Sequence, residues 1–177
     1  MPLRARLFIG LTSCLGVMLF SHSMWQWHCD DLPRFACYLA VALVASGLKV
    51  QLPGIDGTMS VNFLFILLGI LELGLPETVV IGCAATLVQS VWHTQNKPDP
   101  VKVLFNVFSM MANAIVLSYV VYHHLARFFG TGTPLLLIIT AIVYFLANTL
   151  SVSLIISLTE QKACRKVWAE CYFWSFP

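Results

Sequence analysis

The residues of this chain able to do chemistry fall into two sets, a group of histidines with neighbouring acids and a group of polar side chains inside apolar runs. His28, Cys29, Asp30 and Asp31 follow one another, His22 precedes them by six residues, and His123 and His124 lie far along the chain. Imidazole, thiolate and carboxylate are the ligand types a borderline metal takes, so His22, His28, His123 and His124 are candidate metal or haem ligands, or proton-sensing groups near neutral pH. Their spacing matches no diagnostic ligand pattern, and histidines at an interface with water are the competing reading. The second set is Asn62, Glu72, Gln89, Asn106, Asn113 and Asn148. Asn106, Ser109 and Asn113 are spaced i, i+3 and i+7, which places them on one face of an α-helix, and Asn148 with Ser151 makes a similar pair. Such groups either hydrogen-bond across packed helices or line a pocket, so Asn62, Glu72, Asn106, Asn113 and Asn148 are the candidate ligand-binding residues. Glu72 is the only acid inside an apolar run. It either reaches the interface or, if buried, is protonated or pairs with Arg127 or an outer histidine. Glu77 complements the positive start of the helix that follows.

No catalytic set accompanies these residues. The chain has no G-x-S-x-G, H-E-x-x-H or Walker loop, and Pro53-Gly54-Ile55-Asp56-Gly57-Thr58 reads as a tight turn without the glycine spacing or lysine of a phosphate cradle. Cys164 and Cys171, seven apart, fit no zinc or haem attachment pattern and read as packing residues. The residues identify no cofactor.

The elements that must hold these groups follow from composition. The 177 residues are 59% hydrophobic and 10% charged, with net charge +2 and mean hydropathy +0.83. A soluble domain carries about 25% charged residues, so this chain belongs in a membrane and is neither disordered, nor a basic nucleic-acid binder, nor a disulfide scaffold. Runs such as Phe63-Leu64-Phe65-Ile66-Leu67-Leu68 are apolar at every position, which excludes the period-two alternation of a barrel and predicts helices. Six spans are expected, at 7–25, 35–48, 59–75, 77–92, 104–125 and 134–158, in a single all-α polytopic membrane bundle. The second and fourth are short. Pro33, Pro53-Gly54, Pro76, Lys97-Pro98-Asp99-Pro100 and Gly130 to Pro134 punctuate the runs.

Sidedness comes from lysine and arginine. With the N-terminus in the cytoplasm, Arg4, Arg6, Lys49, Lys97, Lys102, Lys162, Arg165 and Lys166 are inside, while Arg34 and Arg127 are outside. That eight-to-two split favours six crossings and puts His22, His28, His123 and His124 on the outer side. The first span carries Arg4 and Arg6 like a signal peptide, but Ser21-His22-Ser23-Met24-Trp25 is no small-residue cleavage site, so a retained span is expected. Segment 162–177 starts basic and turns aromatic, as the entrance to another interfacial or membrane helix would.

Three stretches carry a family resemblance: Leu52-Pro53-Gly54-Ile55-Asp56-Gly57-Thr58-Met59-Ser60-Val61-Asn62-Phe63, Glu72-Leu73-Gly74-Leu75-Pro76-Glu77-Thr78, and Cys171-Tyr172-Phe173-Trp174-Ser175-Phe176-Pro177. Over most of its length the chain resembles a bacterial integral-membrane sensor region of the MASE type, which precedes cytoplasmic GGDEF or HD-type signalling domains. The resemblance implies a sensory or regulatory input module of the bacterial inner membrane without catalysis of its own, expected as a product truncated before an output domain, a fragment, or a stand-alone membrane module. It carries over no ligand residue. The implied partners are the lipid bilayer, a second copy of the chain and a cytoplasmic signalling domain or protein, with no nucleic acid. The alternative is a small-solute transporter or substrate-binding membrane subunit in which the five polar residues line a midplane site.

Overall fold

The computed structural model describes residues 2–29, 31–47, 49–51, 58–60, 62–91, 100–130, 134–161 and 163–172. Its helices are α1 (Leu3–Trp25), α2 (Leu32–Gly47), α3 (Asn62–Glu72), α4 (Leu75–Val91), α5 (Pro100–Leu104), a π-helical segment (Phe105–Ala112), α6 (Asn113–Phe129), α7 (Pro134–Glu160) and α8 (Cys164–Tyr172). Two three-residue strands, β1 (Lys49–Gln51) and β2 (Thr58–Ser60), pair antiparallel between α2 and α3, with Val50 opposite Met59. The expected turn over 53–58 lies outside the described residues except for Thr58.

Three helical stretches are long and apolar enough to cross a bilayer, Leu3–Trp25, Phe105–Phe129 and Pro134–Thr159. At 1.5 Å per residue each exceeds the roughly 20 residues a crossing requires. The helices α2, α3 and α4 are shorter, at 16, 11 and 17 residues. The run expected as a span over 59–75 is helical only over Asn62–Glu72. Strand pairing holds Met59 and Ser60 extended before it, and Gly74 with Pro76 breaks it after. Pro76 and Pro134 occupy first helical turns, where the missing N–H costs nothing. Helix α6 ends at Gly130, whose φ of 80° suits only glycine and whose N–H reaches the Ala126 carbonyl at 3.0 Å.

Direction alternates along the bundle. Trp27 meets Phe35 edge-on at 5.8 Å, Arg34 pairs with Glu72, and short connections join α3 to α4 and α6 to α7. Trp25, Leu32, Glu72, Leu75, Phe129 and Pro134 therefore gather at one end, called here the Glu72 end. At the other, Leu3 lies beside Leu158.

Helix α4 is the centre of the packing, touching α1, α2, α3, the π segment and α6. Gly82 permits this approach, because a Cβ there would overlap Cδ1 of Ile115. Ile66, Ile70, Val79, Ile115 and Leu136 form the buried core around it. Buried hydroxyls are satisfied within their own helices: Ser46, Thr86, Ser118, Thr140, Thr149 and Ser153 donate to the carbonyl four residues back at 2.7–2.9 Å. After α7 the chain folds back, and α8 packs on α7 with Trp168 Nε1 donating to Thr149 Oγ1 at 3.1 Å.

Candidate functional site

The Glu72 end holds the densest polar construction among the described residues. Arg34 and Tyr38, one turn apart on α2, both point at the carboxylate of Glu72, the last residue of α3. The Arg34 guanidinium forms an ion pair with Glu72 Oε2, and Tyr38 Oη donates to the same oxygen at 2.6 Å. Arg34 N–H also donates to Asp31 Oδ1 at 3.0 Å, which caps the start of α2. The pair is half-exposed, at 43% for Arg34 and 39% for Glu72, so it meets water or headgroups and is open to competing ions. The partners expected for Glu72, Arg127 or a histidine, are thus replaced by Arg34. Sequence ordered the groups along the membrane normal, whereas the pairing depends on which helices are lateral neighbours.

The turn between α3 and α4 is also covered from α6. Tyr119 lies against the backbone of Leu75 at the start of α4, and His123 against that of Ile70 near the end of α3. These two side chains are one turn apart with ring centroids 4.1 Å from each other, and Tyr122 closes on His123 at 5.1 Å. Within the turn, Leu73 N–H reaches the Gly69 carbonyl at 2.9 Å, and Thr78 donates to the Gly74 carbonyl through its N–H at 3.1 Å and its Oγ1 at 2.9 Å.

Glu77 lies at the heart of this turn, 4% exposed, with Oε2 lacking any hydrogen-bond partner and set so close to Gly74 that a Cβ there would collide with it. The negative end of the side chain faces the positive start of α4, which supports it electrostatically. Sequence reading placed Glu77 only as a helix-start residue. Its burial comes from α6 lying across the turn, and the available signal was an acid three residues after a glycine between two apolar helices.

The remaining candidates are dispersed. Asn62 is buried at the start of α3 with Oδ1 unpartnered. Asn113 Nδ2 donates to the Thr12 carbonyl of α1 at 3.3 Å, a bond between helices of the kind expected. Asn106 and Asn148 are half-buried on the π segment and α7. The shared face expected for Asn106, Ser109 and Asn113 presumes α spacing, but Phe105–Ala112 is π-helical and its wider turn breaks that register. Ser151, expected to pair with Asn148 on an interhelical face, donates to the Ala147 carbonyl of its own helix at 2.7 Å. His22, His28, His123 and His124 are exposed. His124 packs edge-on against Phe128 at 5.6 Å, away from the His123 contact. Among the described residues no three His, Cys, Asp or Glu side chains converge as a metal ion requires, and Asp30 lies outside them. The polar residues of the Glu72 end therefore meet as an ion-pair clamp beside a hydrogen-bonded turn.

A sequence model of the MASE9 family matches residues 37–176, from within α2 through α8. No curated protein and no solved structure matches the chain. The match covers most of the sequence, including the Glu72 turn and two of the three long apolar helices, Phe105–Phe129 and Pro134–Thr159, and the chain belongs to the MASE9 family of membrane-associated sensor domains.

Proposed function

We propose that the chain is a multi-pass sensory input module of the bacterial inner membrane, without catalysis of its own, that reads a condition at the Glu72 end and passes it to the other end. In this reading the N-terminus is cytoplasmic, α2, α3 and α4 supply three further crossings beside the long helices, and the Glu72 end is periplasmic. The eight-to-two division of cations supports that orientation. The observation that carries the proposal is the clamp on one short turn, Glu72 to Arg34 and Tyr38 of α2, with Tyr119 and His123 of α6 set against the adjoining backbone.

A ligand, ion or surface charge that competes for the half-exposed clamp acts differently on the fastened and released turn, and only such a difference shifts a conformational equilibrium. Helix α6 continues through the π segment and α5 toward the other end, and α7 returns antiparallel to meet α8, so movement of the turn against α6 has a packed route across the bundle. Glu72 is the proposed signal-contacting residue. Asn62, Asn106, Asn113 and Asn148 lie deeper, where they tune packing or line an inner ligand site.

The test is hydrogen exchange on the full chain in lipid nanodiscs, wild type beside Glu72→Gln. Faster exchange over 69–78 together with altered exchange in Cys164–Tyr172 is the expected result. A change confined to the neighbourhood of Glu72 overturns the sensory route, and substrate flux in proteoliposomes returns the chain to the transport reading.

A further inference from the structure

At the end opposite Glu72, α1 starts beside the finish of α7, and a cavity of about 580 Å³ separates them. Its walls are Pro2, Leu3, Arg4, Ser157, Leu158 and Gln161. Pro2, Leu3 and Leu158 are apolar, and Arg4 and Gln161 offer hydrogen bonds from a guanidinium and an amide. The volume lies in the range of small-molecule sites, about 300–1,000 Å³.

The sequence on either side of the cavity is basic, which favours an anion. Residues 1–6 and 160–172 contain Arg4, Arg6, Lys162, Arg165 and Lys166 against Glu160 and Glu170. Arginine matches the geometry of phosphate through two parallel N–H donors, and basic pockets between membrane helices take phosphate-bearing headgroups. Gln161 adopts φ 54°, uncommon for a residue with a side chain, which ends α7 and sets the amide at the cavity rim.

We propose that this cavity holds the headgroup of an anionic phospholipid. Arg4 faces its phosphate, Gln161 hydrogen-bonds a remaining oxygen, and Leu3 with Leu158 lies against the glycerol and the first methylenes. A free phosphate ion offers nothing to the three apolar walls, whereas a lipid satisfies both parts of the lining at once. The site would tether the start of α1 to the α7–α8 corner. The inference rests on α1 and α7 lying in the membrane, for which both have the length and composition, and it is independent of the sensory reading.

The experiment compares the full chain in nanodiscs of phosphatidylcholine alone and of phosphatidylcholine doped with phosphatidylglycerol, following thermal unfolding and retained lipid by native mass spectrometry. Phosphatidylglycerol should raise the Tm and stay bound. Arg4→Gln should weaken its binding about tenfold, as the loss of one charge-assisted contact implies, with the Tm in phosphatidylcholine unchanged. Arg6→Gln, outside the lining, should keep the full effect. Leu158→Trp fills the cavity while keeping every cation, should abolish retention, and keeps the test decisive if Arg4→Gln fails to insert. Retention unaffected by Leu158→Trp, or equal losses from Arg4→Gln and Arg6→Gln, reduces the effect to diffuse surface charge and overturns the site. An equal rise in Tm from inorganic phosphate in phosphatidylcholine discs overturns the lipid as its occupant.

Discussion

Gly82 and Gly10 show how one residue type serves opposite ends in this chain. At Gly82 the closest pass between α4 and α6 leaves no room for a side chain, with Met111 Cγ only 3.4 Å from the place of a Cβ besides the overlap with Ile115, so Gly82→Leu should lose about 1–3 kcal/mol through overpacking. Nothing lies within 4 Å of a Cβ at Gly10, so Gly10→Ala should be neutral or gain up to about 1 kcal/mol from helix propensity. Thermal unfolding in one detergent measures both, and equal shifts would refute the packing account. Asn113→Leu, which removes the bond to the Thr12 carbonyl, should cost about 0.6–2 kcal/mol in the same assay. The type of that interaction was legible in sequence, because an asparagine inside an apolar run has few other uses. The partner of Glu72 was not. Arg34 stands 38 positions away, and nothing in a linear pattern says that α2 and α3 are neighbours. Glu77 was hidden for a different reason: an acid in a first helical turn already has a local explanation, and only the covering α6 makes it buried.

At the scale of elements, hydropathy located where helices form, since a long apolar run has to satisfy its own backbone in lipid. It could not locate the π segment. Phe105–Ala112 reads as ordinary helix in any apolar window, yet its register sets Val107 to accept the thiol hydrogen of Cys83 at 3.6 Å and Met111 Sδ to accept that of Tyr144 Oη at 2.9 Å. Deleting Ser109 should restore α spacing and rotate the earlier turns away from α4. Cys83, 5% exposed, should then change from inert to a membrane-permeant maleimide to labelled, as read by peptide mass spectrometry. Continued protection would mean that the π register does not set this contact. The α3–α4 turn makes a second element-scale prediction. Tyr119→Phe with His123→Ala removes the polar groups that α6 sets against it, so amide exchange over 69–78 should quicken while the middle of α7 stays protected. Unchanged exchange in the turn would show that Glu77 and the internal bonds of Thr78 hold it unaided.

At the scale of the whole molecule the question is how many helices complete a crossing. Three are long enough by themselves, and α2, α3 and α4 are shorter than a bilayer core. The two cases differ in parity. If only Leu3–Trp25, Phe105–Phe129 and Pro134–Thr159 crossed, a cytoplasmic N-terminus would put Asp31 outside, Gly130 back in the cytoplasm and Gln161 outside. If α2, α3 and α4 cross as well, Asp31 and Gly130 share the outside and Gln161 is cytoplasmic. The packing favours the second, because Arg34 meets Glu72 and His123 meets Ile70, which gathers the ends of α1, α3 and α6 on one side. So do the cations, since Arg165 and Lys166 join Arg4 and Arg6 at the end away from Glu72. Reporter fusions after Asp31, Gly130 and Gln161 in the otherwise intact chain should therefore read periplasm, periplasm and cytoplasm. A fusion after Gln95 should read cytoplasm, because α4 then delivers the chain to the inner side. A cytoplasmic signal after Gly130 would reduce the short helices to elements that enter and leave from one face, and a cytoplasmic signal after Asp31 would reverse the orientation and move the Glu72 clamp to the inner surface.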